Sequence, residues 1–162
     1  MKNYKFSILS IMFVSVSLFL TGCAGGNKIT SVDSEFTQEE KQIEETVKEF
    51  DRIVGDRIYF GYNNYSLSDD AKEELLKQVA WMKSHQDYKA VLEGYCDDRG
   101  TVAYNLALGA KRAAAAQDFM IANGIPRSRL DTVSYGKSRP AAIGVGEEVW
   151  KLNRRVVTVV YE

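Results

Sequence analysis

The chain has 162 residues, 45% of them hydrophobic and 27% charged, with a formal charge of −1. That suits one packed domain, is too short for two ordinary ones, and is unlike a disordered or multi-span membrane chain. Without Lys2 and Lys5 the 21 basic residues fall to 19 against 22 acidic ones, a balance that argues against nucleic acid as a partner. Two cysteines, Cys23 and Cys96, fit neither a disulfide framework nor a zinc cluster, and one histidine, His85, excludes sites built on several imidazoles. No metal or cofactor is expected, while carboxylate chemistry stays open.

Lys2 and Lys5 make a short basic start, and Phe6 to Leu20 is an apolar run broken only by serines. It is short for a permanent span and has the form of a secretory leader. The run ends in Leu20-Thr21-Gly22-Cys23, which resembles the lipobox of bacterial lipoproteins. The resemblance implies removal of residues 1–22 and lipid on Cys23, where each buried methylene contributes about 0.8 kcal/mol to anchoring. Ala24, standing where Asp would redirect such a protein, implies the outer membrane.

Residues 23–55 read as a lipidated start and a flexible acidic linker, with Gly25-Gly26-Asn27 followed by Asp33, Glu35, Glu39, Glu40, Glu44, Glu45 and Glu49. Ile43, Val47 and Phe50 fall at near-helical spacing, so Glu39 to Phe50 is a candidate helix that docks weakly or lies in solvent. About thirty residues reach roughly 100 Å when fully extended. The globular part is placed at 56–162.

Arg57 to Phe60 is a short strand candidate. Ser68 caps a helix with Asp69, Asp70, Glu73 and Glu74 in its first turns, where carboxylates favour the helix dipole, and Ala71, Leu75, Val79 and Met82 make its apolar face. Lys89 to Tyr95 is a second strand, with Ala90, Leu92 and Gly94 on one side and Val91 and Tyr95 on the other. A long helix is predicted from Val102 to Asn123, stopped by Gly124 and Pro126, and its Ala113 to Ala116 run allows close approach to a sheet. Leu130 to Tyr135 and the valine-rich Val156 to Tyr161 complete four strands. Strands alternating with helices predict an α/β (α+β) sandwich, two main helices on one face of a small mixed sheet.

Between the second strand and the long helix lies a glycine-bounded polar turn, Gly94-Tyr95-Cys96-Asp97-Asp98-Arg99-Gly100-Thr101, in a position where ligands commonly meet such a scaffold. Taken alone, Asp97 is a turn or cap residue and Arg112 a solvated helix residue as readily as either is a ligand contact. In order along the chain stand Tyr59-Phe60-Gly61-Tyr62, Glu93-Gly94, Gly100-Thr101, Tyr104-Asn105, Leu108 to Ala113, Val133 to Gly136 and Asn153-Arg154-Arg155. In this combination, from Ile58 to Tyr161 and behind a lipobox, the sequence resembles the OmpA-like peptidoglycan-binding domain family, most closely its lipid-anchored branch, the peptidoglycan-associated lipoproteins.

The resemblance implies a noncatalytic protein that binds the diaminopimelate of the peptidoglycan stem peptide and tethers the outer membrane to the wall. It also implies a place in the Tol envelope and cell-division system, with a TolB-like β-propeller protein and other Tol components as partners. By the same resemblance, Asp97 takes the ligand ammonium and Arg112 its carboxylate. Asn105 matches the family's asparagine at the start of the helix, Gly61 to Asn63 closes the pocket, and Tyr62, Asn63 and Arg99 belong to the binding set. An Arg fork suits a carboxylate because two parallel donors meet two oxygens.

Arg99, Arg154 and Arg155 are equally candidates for structural charges that pair with carboxylates and frame the site. Tyr95 and Trp150 are core or contact aromatics, undecided by the sequence. Asn63-Asn64 stands where the family commonly has an acidic-basic pair, and Cys96 where it usually has Ala or Thr; a buried thiol is expected there. His85 is expected to serve as a helix C-terminal dipole partner. A wall-cleaving enzyme with Asp97 and Asp98 as acid and base is disfavoured, because such carboxylates flank the scissile bond at about 5 to 9 Å. A wall-anchoring subunit of a secretion or motility complex is the alternative.

Overall fold

The computed structural model describes residues 32–162; the expected leader, Cys23 and Ala24 lie outside the described residues. Helix α1 (Val32–Glu49) runs into a π-helical segment, Phe50–Gly55, and then come β1 (Arg57–Tyr59), α2 (Asp69–Ser84), β2 (Lys89–Tyr95) and α3 (Val102–Ala122). A 3₁₀ turn (Arg127–Arg129), β3 (Leu130–Gly136), α4 (Glu147–Asn153) and β4 (Arg155–Tyr161) follow. The sheet order is β1-β4-β2-β3. The valine-rich β4 is internal and antiparallel to both neighbours, pairing Val156 with Ile58 and with Gly94. β2 and β3 are parallel, with Leu92 opposite Thr132, as a helical crossover through α3 requires. The architecture is the expected α+β sandwich.

Local chemistry sets the helix ends. The Ser68 hydroxyl accepts a hydrogen bond from the Ala71 N–H, and Thr101 accepts one from Tyr104 at the start of α3, each satisfying an orphan donor of the first turn. At the other end of α2, Arg129 donates to the carbonyls of Met82 and His85 and to Tyr88. His85 is the C-cap residue, as placed by the sequence, and its ring also stacks on Trp81 with centroids 4.0 Å apart.

The core fills the space between sheet and helices with Ile58, Leu75, Met82, Leu92, Met120 and Val156, all fully buried. Helix α3 sits close to β2 because two glycines face each other. A methyl added at Gly94 would land on the Gly109 carbonyl, and one at Gly109 would meet the Ser134 hydroxyl and, at 2.9 Å, the Gly94 oxygen. This close approach lowers the start of α3 onto the end of β2 and fixes the height of the turn between them.

The boundary expected at residue 56 falls inside the packed body. Phe50 is completely buried and meets Trp81 edge-on at 4.8 Å, while Val47 packs against the same cluster. Gln78, also fully buried, donates to the Gly55 carbonyl and accepts from Thr158, tying the π segment to α2 and β4. The sequence signal was weak because one aromatic with two aliphatic neighbours carries this docking. α4 leaves little signal in the sequence, since its seven residues follow a glycine-rich loop and only Glu147-Glu148 after Gly146 marks a helix start.

Two outcomes follow for stability, measurable by urea unfolding. Phe50→Ala costs about 3 to 5 kcal/mol, the usual range for emptying a buried phenylalanine site, which separates a docked segment from a free linker. Gly94→Ala costs about 3 kcal/mol or more, because the clash is with backbone and no rotamer change relieves it.

Candidate functional site

Cys96 to Thr101 leaves the end of β2 and is held from several directions. The Cys96 N–H donates to the Gly136 carbonyl, Asn105 donates to the carbonyls of Arg99 and Thr101, and Lys137 donates to those of Asp98 and Gly100. Gly100, at φ +88°, adopts the left-handed conformation that closes the turn. The turn therefore has its shape before any ligand arrives.

Facing it is the loop after β1. Arg112, on α3 and fully buried, reaches across to that loop: its Nε donates to the Asn64 carbonyl and Nη2 to that of Gly61, while Nη1 donates to the Tyr95 carbonyl and the Cys96 sulfur. Asn63 takes φ +49° there, and the Tyr104 hydroxyl donates to its side-chain oxygen.

Between turn and loop opens a cleft of about 150 Å³ lined by Tyr62, Asn63, Asp97, Arg99, Asn105 and Arg112, together with Cys96, Gly100, Tyr104, Leu108 and Arg154. At roughly 10–15 Å³ per water position, it has room for about ten waters, the scale of one amino-acid side chain. Every residue in the expected binding set lines this one cleft.

The electrostatics differ from an empty ion-pair seat. Asp97 is 4% exposed, and its carboxylate already accepts from Arg99 Nη2 at 2.5 Å, from the Arg99 backbone N–H at 3.2 Å and from Arg154 Nη1 at 3.4 Å. Burial pushes Asp97 up, but the Arg99 hydrogen bonds and charge, with Arg154, outweigh it and hold the carboxyl below its ordinary value. Burial pulls the Arg112 guanidinium down. Four of its five N–H donors are on protein acceptors, leaving one on Nη2 among the described residues. The two-donor fork expected at Arg112 is largely spent on its own chain, on the carbonyls of Gly61, Asn64 and Tyr95 and the Cys96 sulfur.

Arg154 is fixed by the Phe60 carbonyl and by Glu147, so it frames the site as a structural charge. Arg155 does not. Successive strand residues face opposite sides of the sheet, and Arg155 stacks on Tyr95 on the far face, 3.8 Å from the ring centroid. Tyr95 is thereby a buried stacking residue of that face, paired with Tyr135. Cys96 is 3% exposed, and burial pushes its thiol up, the expected buried small residue. Trp150, on α4, lies outside the cleft lining and places its ring 4.0 Å from the Arg99 guanidinium carbon. Asp98 is exposed and outside the cleft lining. Among the described residues no cluster of three metal-ligating side chains occurs, and no helix is long and apolar enough to cross a membrane.

A mixed four-stranded sheet with two helices on one face and a polar cleft at the end of its second strand defines a class of domain, and the OmpA family model matches residues 59–154. The chain belongs to the OmpA family. Within it, the chain is similar to two proteins named peptidoglycan-associated lipoprotein. That of Agrobacterium fabrum is 38% identical over 93% of this chain and 86% of the relative, and that of Mesorhizobium japonicum 46% identical over 70% and 67%. The crystal structure of the peptidoglycan-associated lipoprotein from Burkholderia pseudomallei, 34% identical, superposes with a TM-score of 0.66 over 68% of this chain and 96% of that one. The C-terminal domain of Helicobacter pylori MotB, 20% identical with a TM-score of 0.61 over 66% of this chain and 86% of that one, shares the fold.

Because the folded state holds Asp97 below its unfolded value near 3.9, its contribution to stability is full above about pH 4 and is lost as pH falls through the folded value. Urea midpoints recorded from pH 7 downward show this loss in the wild-type chain and a smaller one in Asp97→Asn. Arg112→Met leaves three carbonyls short of donors and costs about 3 kcal/mol or more in the same assay.

Proposed function

We propose that this chain is a noncatalytic wall anchor, held to the periplasmic face of the outer membrane by lipid on Cys23 and bound to peptidoglycan through the diaminopimelate of the stem peptide. The leader is residues 1–22, and the tether runs from Cys23 toward the packed segment that begins near Val47. The observation that carries the reading is the meeting of Asp97 and Arg112 in one cleft of side-chain size. Diaminopimelate ends in an ammonium and a carboxylate on one carbon. The ammonium goes to Asp97. The carboxylate goes to the Arg112 side, where one Nη2 donor is unspent among the described residues. Asn105 holds the turn in place, Tyr62 and Asn63 form the rim, and Arg99 stands beside Asp97.

The same geometry argues against wall cleavage. A general acid must keep its proton near neutral pH, whereas Asp97 is held below its ordinary value by two arginines. The likeness to peptidoglycan-associated lipoproteins over nearly the whole chain supports a role in the Tol cell-division system, with a TolB-like β-propeller protein as partner.

The test is retention on purified peptidoglycan. The wild-type chain sediments with the sacculus and releases no soluble fragments; Asp97→Asn lowers retention on the order of ten-fold, the loss of one charge-assisted contact, and Arg112→Gln lowers it at least as much, since it also leaves carbonyls of the cleft wall short of donors. Wild-type retention by both variants removes the cleft from the argument, and solubilised wall fragments remove the noncatalytic reading. In cells, Cys23→Ala moves the protein from the membrane to the soluble fraction.

A further inference from the structure

This inference rests on the wall-anchor reading and concerns how the cleft is filled before a ligand arrives. The Arg99 guanidinium lies over two aromatic rings, its central carbon 4.0 Å from the centroid of Tyr62 and 4.0 Å from that of Trp150. One of its nitrogens sits 2.5 Å from Asp97 Oδ2. Two aromatic rings and a carboxylate around one point make a seat suited to a cation, and here the chain's own side chain occupies it.

The two arginines on Asp97 are held unequally. Arg154 is buried, its side chain only 6% exposed, and is fixed at a backbone carbonyl and at Glu147 as well. The Arg99 side chain is 30% exposed, and its Nε is buried without any acceptor among the described residues. An unmade hydrogen bond of this kind is a standing cost of the present position. Any ligand cation approaching Asp97 therefore meets one arginine that is built in and one that can leave toward solvent.

We propose that Arg99 is an internal competitor occupying the cation seat formed by Asp97, Tyr62 and Trp150, and that the ligand ammonium binds by displacing it. Arg99 then determines specificity. A group that takes this seat must bring its own positive charge, because a neutral group would expel a guanidinium and leave the buried Asp97 with only the Arg99 backbone N–H and the longer Arg154 contact. The carboxylate end of the ligand is unaffected by the exchange, since Arg112 lies on the opposite wall and keeps its backbone partners.

The probe is the soluble tripeptide L-alanyl-γ-D-glutamyl-meso-diaminopimelate, titrated calorimetrically into the soluble chain, alongside the same tripeptide acetylated on its terminal side-chain amine. The wild type binds the free amine and does not bind the acetylated form. Arg99→Gln binds the free amine tighter, on the order of ten-fold, since the ligand no longer displaces a salt bridge and two cation–π contacts. Equal or weaker binding by Arg99→Gln overturns the proposal while leaving the anchor reading intact. Absence of wild-type binding, or equal binding by wild type and Asp97→Asn, defeats the anchor reading and this proposal with it. A second measurement needs no stable variant at position 99: the Trp150 indole N–H resonance of the wild type, identified by its loss in Trp150→Phe, shifts on saturation with tripeptide. A resonance that stays in place means that the guanidinium has not left Trp150, and the proposal fails.

Discussion

One buried guanidinium holds the cleft together. Arg112 joins three stretches of chain that are remote in sequence: the loop after β1 through Gly61 and Asn64, the end of β2 through Tyr95, and its own helix. A fixed planar fork satisfies several carbonyls at set angles, which a lysine ammonium on a flexible stem does not. Burying such a charge is tolerable only when nearly every donor is used, and here nearly every donor is. The consequence is a wall whose position is set by the fold. Arg112 thus belongs both to the architecture and to the proposed binding surface, and the two duties share a single side chain.

The three arginines of the cleft divide the electrostatic work. Arg112 supports backbone, Arg154 fixes the acidic turn against β1 and α4, and Arg99 lies in the mouth over two aromatic rings. Their partners differ in kind, being carbonyls for the first, carbonyl and carboxylates for the second, and carboxylate and π faces for the third. Membership in the OmpA family describes the scaffold these residues stand on. The charge arrangement is a property of the individual side chains, and it is there that discrimination among ligands is set.

Much of this was legible from sequence. The four strands, the capped α2 and the long α3 follow from periodicity and from Ser68, Gly124 and Pro126, and the ordered motifs around Asp97, Asn105 and Arg112 fall on the residues that line the cleft. What escaped notice has physical causes. Ile43, Val47 and Phe50 show a helical period, but Phe50 is a single aromatic in an acidic stretch, and the period alone does not tell a docked helix from one in solvent. α4 is too short to show an apolar face, yet it delivers Glu147 and Trp150 to the site. Arg154 and Arg155 look equivalent in a run of letters, yet Arg154 caps the end of α4 and meets Asp97 in the cleft, while Arg155 opens β4 and stacks on Tyr95. The carbonyls that consume Arg112 are invisible to any reading of side chains, because every residue type carries them.

The π-helical segment has a mechanical meaning. The N-terminal end of β1 emerges from it, and the C-terminal end of β1 leads directly into the loop that walls the cleft. A pull between the chain's N-terminal side and anything gripped in the cleft is carried through β1, which joins the two in sequence. Load along that strand strains the β1–β4 ladder from Arg57 to Tyr59 all at once, in shear, where a perpendicular pull would peel its bonds singly. Before the ladder feels it, Phe50 must first be drawn out from beneath Trp81, which makes that phenylalanine a mechanical fuse upstream of the sheet.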